Sequence, residues 1–83
     1  MDQLLISVYV ISINEEFDMY IPINMKVTDL INFIKEKIVE ETAGAYEPKE
    51  ALKLYDVTTT KLINSNNIVK YSGIKFGSKL LLK

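Results

Sequence analysis

Apolar residues alternate along the first stretch of the chain. Leu4, Ile6, Val8 and Val10 fall on one parity, and Leu5, Ser7, Tyr9 and Ile11 on the other. The first set is wholly aliphatic, while the second carries a hydroxyl and a phenol. The spacing predicts a strand from Leu4 to Ile13 with the aliphatic set turned inward. Asn14-Glu15-Glu16 is polar and predicts a turn. Phe17, Met19, Ile21 and Ile23 then alternate with Asp18, Tyr20 and Pro22, which predicts a second strand and a hairpin. Proline cannot donate to a ladder, so this second strand is expected at a sheet edge.

The period then changes. Leu30, Ile31, Ile34 and Ile38 recur on one helical stripe. Thr28 is expected to cap the helix, and Asp29 puts negative charge at its positive end. Gly44 stands where a helix C′ glycine belongs. The helix is predicted over about 29–42, with Phe33 flanking the stripe and Val39 on the opposite side. Ala45 to Glu50, with Tyr46 and Pro48, is expected to be a linking loop. Ala51 to Tyr55 predicts a short strand with Leu52 and Leu54 inward and Lys53 and Tyr55 outward. Asp56 to Thr60 predicts a polar turn, Lys61-Leu62-Ile63 a brief strand, and Asn64-Ser65-Asn66-Asn67 a further turn. Val69 and Ile74 are expected to anchor a one-turn segment. Gly77 supplies positive φ for a tight turn over Lys75–Ser78. In the last strand Leu80 and Leu82 point inward and Leu81 outward.

The order is therefore hairpin, helix, strand, short strand, helical turn and final strand, within one domain spanning residues 1–83. A continuous apolar run such as Leu80-Leu81-Leu82 suits a central strand paired in parallel with the first. This predicts an α+β fold of the ubiquitin-like β-grasp plan, a mixed sheet of four to five strands crossed by one helix.

Composition narrows the chemistry. The chain has no Cys and no His, and all ten of its cations are Lys. Thiolate and imidazole chemistry are thereby excluded, as are bidentate Arg forks to phosphate or guanine. No catalytic, cofactor-binding or metal-ligating constellation is expected, and a net charge of −1 gives no case for nucleic acid. Charge is unevenly spread: residues 1–50 hold ten acids and four Lys, and residues 51–83 hold Asp56 and six Lys. Solvated strand and loop faces account for such an asymmetry, and self-association between opposite faces is the sharper reading. Glu15, Glu16, Asp18, Glu40 and Glu41 are expected to be solvated rather than cation-binding. The Lys series 53, 61, 70, 75, 79 and 83 offers a weak surface for anionic lipid or an acidic partner. Asp2 stands where a signal peptide needs a basic region, and no apolar run reaches the roughly 18 residues of a membrane span. The expectation is a soluble, cytoplasmic protein that does not span the membrane.

Two stretches carry a family resemblance. Phe17-Asp18-Met19-Tyr20-Ile21-Pro22 with Val27-Thr28-Asp29-Leu30-Ile31 is similar to the strand-to-helix passage of the bacterial ubiquitin-like proteins YukD and EsaB. Val69 through Ser72-Gly73-Ile74-Lys75-Phe76-Gly77-Ser78-Lys79-Leu80 resembles their "L-x-D-x-G-I-x-x-G-D-x-L" close. Ser78, where that family often has Asp, and a lengthened helix exit over Val39–Tyr46 are departures. The resemblance implies a cytoplasmic accessory of type VII secretion in Gram-positive bacteria, encoded with a membrane-anchored ATPase and small helical substrates. It implies no conjugation to targets. A related ubiquitin-like domain is fused to a membrane component in actinobacterial systems, so the implied partner is the ATPase or a membrane component, with peripheral membrane placement through that protein.

A β-grasp helix covers only one sheet face. Leu5, Tyr9, Lys53, Tyr55 and Leu81 are expected to cluster on the other and to bind a protein partner, because contiguous exposed apolar area often marks an interface. Scattered surface apolar residues are the plainer explanation. Two alternatives stay open. One is an oligomerising structural module, with homodimerisation through the open face or the edge strand near Pro22. The other is a sulfur carrier, but its chemistry needs a C-terminal Gly-Gly, and Leu82-Lys83 in that place argues strongly against it.

Overall fold

The computed structural model describes residues 2–49 and 51–83. The aliphatic parity of the first stretch folds as β1 (Gln3–Val10), with Ile6, Val8 and Val10 buried and Leu4 half-buried. It pairs antiparallel with β2 (Glu15–Pro22), in register from Gln3 opposite Pro22 to Val10 opposite Glu15. The expected strand over Leu4–Ile13 ends early. Ile11–Ile13 is a 3-10 turn, and Asn14 adopts a left-handed φ of 52°. The connection is thus Ile11–Asn14, set earlier than the polar run suggested, and Glu15 and Glu16 already belong to β2. Asparagine tolerates this backbone because its short polar side chain can bond locally.

The helix α1 runs Val27–Glu41 and buries Val27, Leu30, Ile34 and Ile38. Its start corrects the expected cap. Lys26 is the N-cap, and no side chain bonds the first turn's amides. Instead Val27 N–H donates to Asn67 O (2.8 Å) and Thr28 N–H to Ser65 O (3.1 Å). The Thr28 hydroxyl also donates to Ser65 O (2.8 Å). Backbone carbonyls of a distant loop thus satisfy the donors a cap side chain would have taken. The exit is also displaced by one residue. Ala43 N–H donates to Glu40 O and Gly44 N–H to Val39 O, the paired bonds of a Schellman ending. Thr42 is the C-cap, so Ala43 occupies C′ with a φ of 51°, a conformation that disfavours a Cβ. Val39, expected on the far side, is half-buried and packs against the core, as does Phe33.

Tyr46 lies in the expected linking loop, and its side chain is buried in the core cluster. Glu50, the last residue expected in that loop, lies outside the described residues. The third strand, β3 (Leu54–Asp56), sits further along than Ala51–Tyr55, with Leu54 buried and Leu52 half-buried. Lys61–Ile63 forms only an isolated bridge, Tyr55 to Leu62. A 3-10 turn at Val69–Tyr71 lies between buried Val69 and Ile74, as expected. Gly77, at a φ of 83°, makes the tight turn into β4 (Lys79–Leu82). Leu80 and Leu82 are buried and Leu81 is half-buried.

The sheet order is β2-β1-β4-β3, with β1 and β4 parallel and the other neighbours antiparallel. The expected placements of the Pro22 strand at an edge and the last strand beside the first both hold. Among the described residues, fifteen buried ones form one core between sheet and helix, all aliphatic except Tyr46. Among the described residues no helix is long and apolar enough to cross a membrane.

Candidate functional site: the open sheet face

Strand alternation places each inward aliphatic residue next to one that faces away from the helix. The registers then align the outward residues across strands. Tyr9 lies opposite Leu81 and Leu81 opposite Tyr55, so three of the five expected contact residues form one row across β1, β4 and β3. Glu16 extends the row on β2, and Leu62 extends it beyond β3. All three central side chains are half-buried. Their neighbours hold them in place. The Tyr9 hydroxyl donates to Asn14 Oδ1. The Lys83 ammonium lies 5.0 Å from the centre of the Tyr55 ring, a cation–π contact.

Lys53 is exposed beside this row. Its N–H donates to Lys83 O (2.8 Å), and the Lys83 N–H donates back (3.1 Å), which continues the β3–β4 ladder past its last strand residue. Leu5 is not part of the row. It sits four residues from Tyr9, about 13 Å along the strand, and Ser7 and Lys79 lie between. Leu5 lies instead opposite Tyr20, and Gly77 N–H donates to its carbonyl (2.7 Å). Tyr20 and Phe76, each 57% exposed, therefore flank it and line one shallow cleft. Sequence reading counts Tyr20 among the outward residues but not in the five-residue cluster, and leaves Phe76 out. Tyr20's outward parity was visible, but nothing local announced that the turn at Phe76 would close against β1.

Charge divides this face. The acids Glu16 and Asp18 are on β2, and Asp18 Oδ1 accepts a 2.6 Å bond from the Ser7 hydroxyl. The cations Lys79, Lys83 and Lys53 stand on and beside β4 and β3. An apolar row between a negative and a positive margin can orient a partner as well as hold it. A second concavity, of about 600 Å³, opens on the helix side between Ile31, Lys35, Leu52, Lys53 and Leu62. It arises where the loops after α1 and β3 fold back, a juxtaposition with no sequence signature. Near it, desolvation pushes the Tyr46 phenol above its ordinary value.

A mixed sheet of this order, wrapped over one helix and entered by a hairpin, defines the ubiquitin-like β-grasp fold. No family model and no curated protein matches the sequence. Solved structures do match in shape. The EccD5 ubiquitin-like domain from Mycobacterium xenopi superposes with a TM-score of 0.79 at 11% identity, covering 100% of this chain and 94% of that one. A chain of the MycP5-free ESX-5 inner membrane complex matches with a TM-score of 0.77 at 11% identity. The match covers 100% of this chain but only 21% of that one. The ubiquitin-like domain of an Arabidopsis thaliana protein matches with a TM-score of 0.68 at 18% identity over 100% and 78% of the two chains.

Proposed function

We propose that this chain is a non-catalytic ubiquitin-like module that docks, through its open sheet face, onto a protein of a type VII secretion apparatus. The observation that carries the reading is the Tyr9–Leu81–Tyr55 row, an apolar strip set between charged margins on the face the helix leaves bare. Context comes from two sources. One is the likeness to YukD and EsaB in the strand-to-helix passage and the close. The other is the shape shared with a domain of EccD5 and with part of an inner membrane complex of type VII secretion. Lys53 and Lys83 would meet acidic groups of that partner, and Leu5 with Tyr20 and Phe76 would form a separate apolar contact. The partner is a secretion ATPase or membrane component, which would hold the module at the cytoplasmic side of the membrane.

Aromatic anchors at an interface centre commonly cost about 2 kcal/mol or more on truncation. Tyr55→Ala combined with Leu81→Ser should therefore abolish recovery of secretion-machinery proteins in a pull-down from the host. Glu36→Ala, on the exposed helix surface, should leave recovery unchanged. Circular dichroism establishes that each variant is folded. Normal recovery of the same machinery proteins by the folded double variant would refute docking through this face.

A further inference from the structure

The two borders of the sheet differ in their backbone hydrogen bonds. In an antiparallel pair, the residues whose groups do not point at the neighbour point away from it. Ile23 N–H donates to Asp2 O, which fixes the alternation along β1 and β2. Leu5 and Ser7 turn their backbone groups to the other side, where Leu5 O accepts from Gly77 and Ser7 N–H donates to Ser78 O. Their partners on β2, Tyr20 and Asp18, therefore direct N–H and C=O away from the sheet, and Glu16 does the same two residues on. Pro22 shares this parity, so its missing donor falls on the outer side, where it costs no ladder bond. Among the described residues, no backbone group pairs with these outward groups.

A groove of about 540 Å³ runs beside this border, between β2 and α1. Phe17, Met19 and Phe33, all half-buried, give it an apolar floor, and Lys37 lies 5.8 Å from the centre of the Phe33 ring. Glu16, Asp18 and Glu41 outnumber Lys37 along it. A second copy of this chain is a poor occupant. Antiparallel pairing of β2 with β2 about Asp18 sets Asp18 opposite Asp18, and pairing about Glu16 sets Glu16 opposite Glu16, and like charges directly opposed are destabilising.

We propose that the free border of β2 is a second docking site, which takes an extended segment of a partner protein as a fifth strand. The segment alternates basic and apolar residues. Basic side chains stand opposite Glu16 and Asp18, and apolar ones enter the groove over Phe17, Met19 and Phe33. Main-chain bonds supply affinity and the alternating side chains supply selectivity. The site shares Glu16 and Asp18 with the margin of the open face but makes no use of Tyr9, Leu81 or Tyr55.

The test uses end-blocked synthetic peptides and amide NMR. Val-Lys-Val-Arg-Val should shift the Glu16, Asp18 and Tyr20 amides and slow their exchange. Val-Glu-Val-Asp-Val should bind at least about tenfold more weakly. Glu16→Lys combined with Asp18→Lys should reverse that order. Asp18→Pro removes an outward donor and should abolish binding by a folded protein; if it fails to fold, the charge-reversed variant carries the test. Tyr55→Ala with Leu81→Ser should bind the peptide normally, which separates this site from the open face. Several results would overturn the proposal: no binding at millimolar peptide, shifts centred on Tyr9 and Leu81 instead, no reversal by the lysine pair, or self-association that protects the same amides.

Discussion

The sheet ends differently on its two sides. At β3, the outward groups of Leu54 and Asp56 are occupied: Ile63 N–H donates to Leu54 O and Asp56 N–H donates to Lys61 O, both at 2.9 Å. The following turn is fastened by the Asp56 carboxylate, which accepts from Thr58 N–H (2.8 Å) and Thr59 N–H (3.1 Å). At β2, the corresponding groups have no such cover among the described residues, and only charge and Pro22 guard the border. Natural sheets blunt exposed edges by either device. A loop closes an edge permanently, whereas charge closes it only to strands of the wrong sign.

The sharpest way to break this comparison is to place proline on each side. Asp56→Pro removes the donor to Lys61 and the turn's carboxylate together, and should cost roughly 3 kcal/mol. Asp18→Pro removes only an unpaired donor and one exposed side-chain bond, and should cost about 1 kcal/mol or less. Urea titration of the two variants measures the difference, and equal losses would mean that β2 is not free. Next in size, Ile63→Ala withdraws the buried side chain that seats the covering loop and should cost about 2–4 kcal/mol. It should also raise amide exchange at Ile63 and Asp56 while leaving β2 unchanged. Asp56→Ala keeps the ladder donor and loses only the two turn bonds, so about 1–2 kcal/mol is expected by the same titration. The smallest change is a gain. Ala43→Gly relieves a left-handed alanine away from both borders and should stabilise by about 1 kcal/mol. Thermal unfolding should show that gain, with the exchange contrast between the borders preserved.

Much of the architecture could be read from residues that act locally. Period-2 spacing gave the inward faces of β1 and β2, Pro22 marked an edge, and the apolar run at Leu80–Leu82 marked a central parallel strand. The same parity rule assembled Tyr9, Leu81 and Tyr55 correctly, because register carries one row of side chains straight across a sheet. Where reading failed, the cause was distant in sequence. The donors at Val27 and Thr28 are met by Asn67 and Ser65, so Thr28 looked like a cap and is not one. Tyr46 is buried because the chain after α1 folds over the core, which no neighbouring residue announces. Leu5 was placed on the right face but too close to Tyr9, since parity gives the side of a sheet and not the separation along it. The bonds that close β3, from Ile63 N–H to Leu54 O and from Asp56 N–H to Lys61 O, join backbone groups, and these have no identity in a sequence.

The position of β4 sets the timing of folding. It is the last strand in order, yet it lies between β1 and β3 and pairs with both. On a ribosome the β1–β2 hairpin and the helix emerge well before it, and long-range parallel pairing is slow to form. During that interval β1 has nothing on its inner side, and the nascent hairpin offers two open borders where the finished sheet keeps one. The exposure is greatest at Ser7–Val10, the stretch that only Lys79–Leu82 can cover. A slow codon placed before Lys79 would lengthen that interval, and aggregation during synthesis would increase with it.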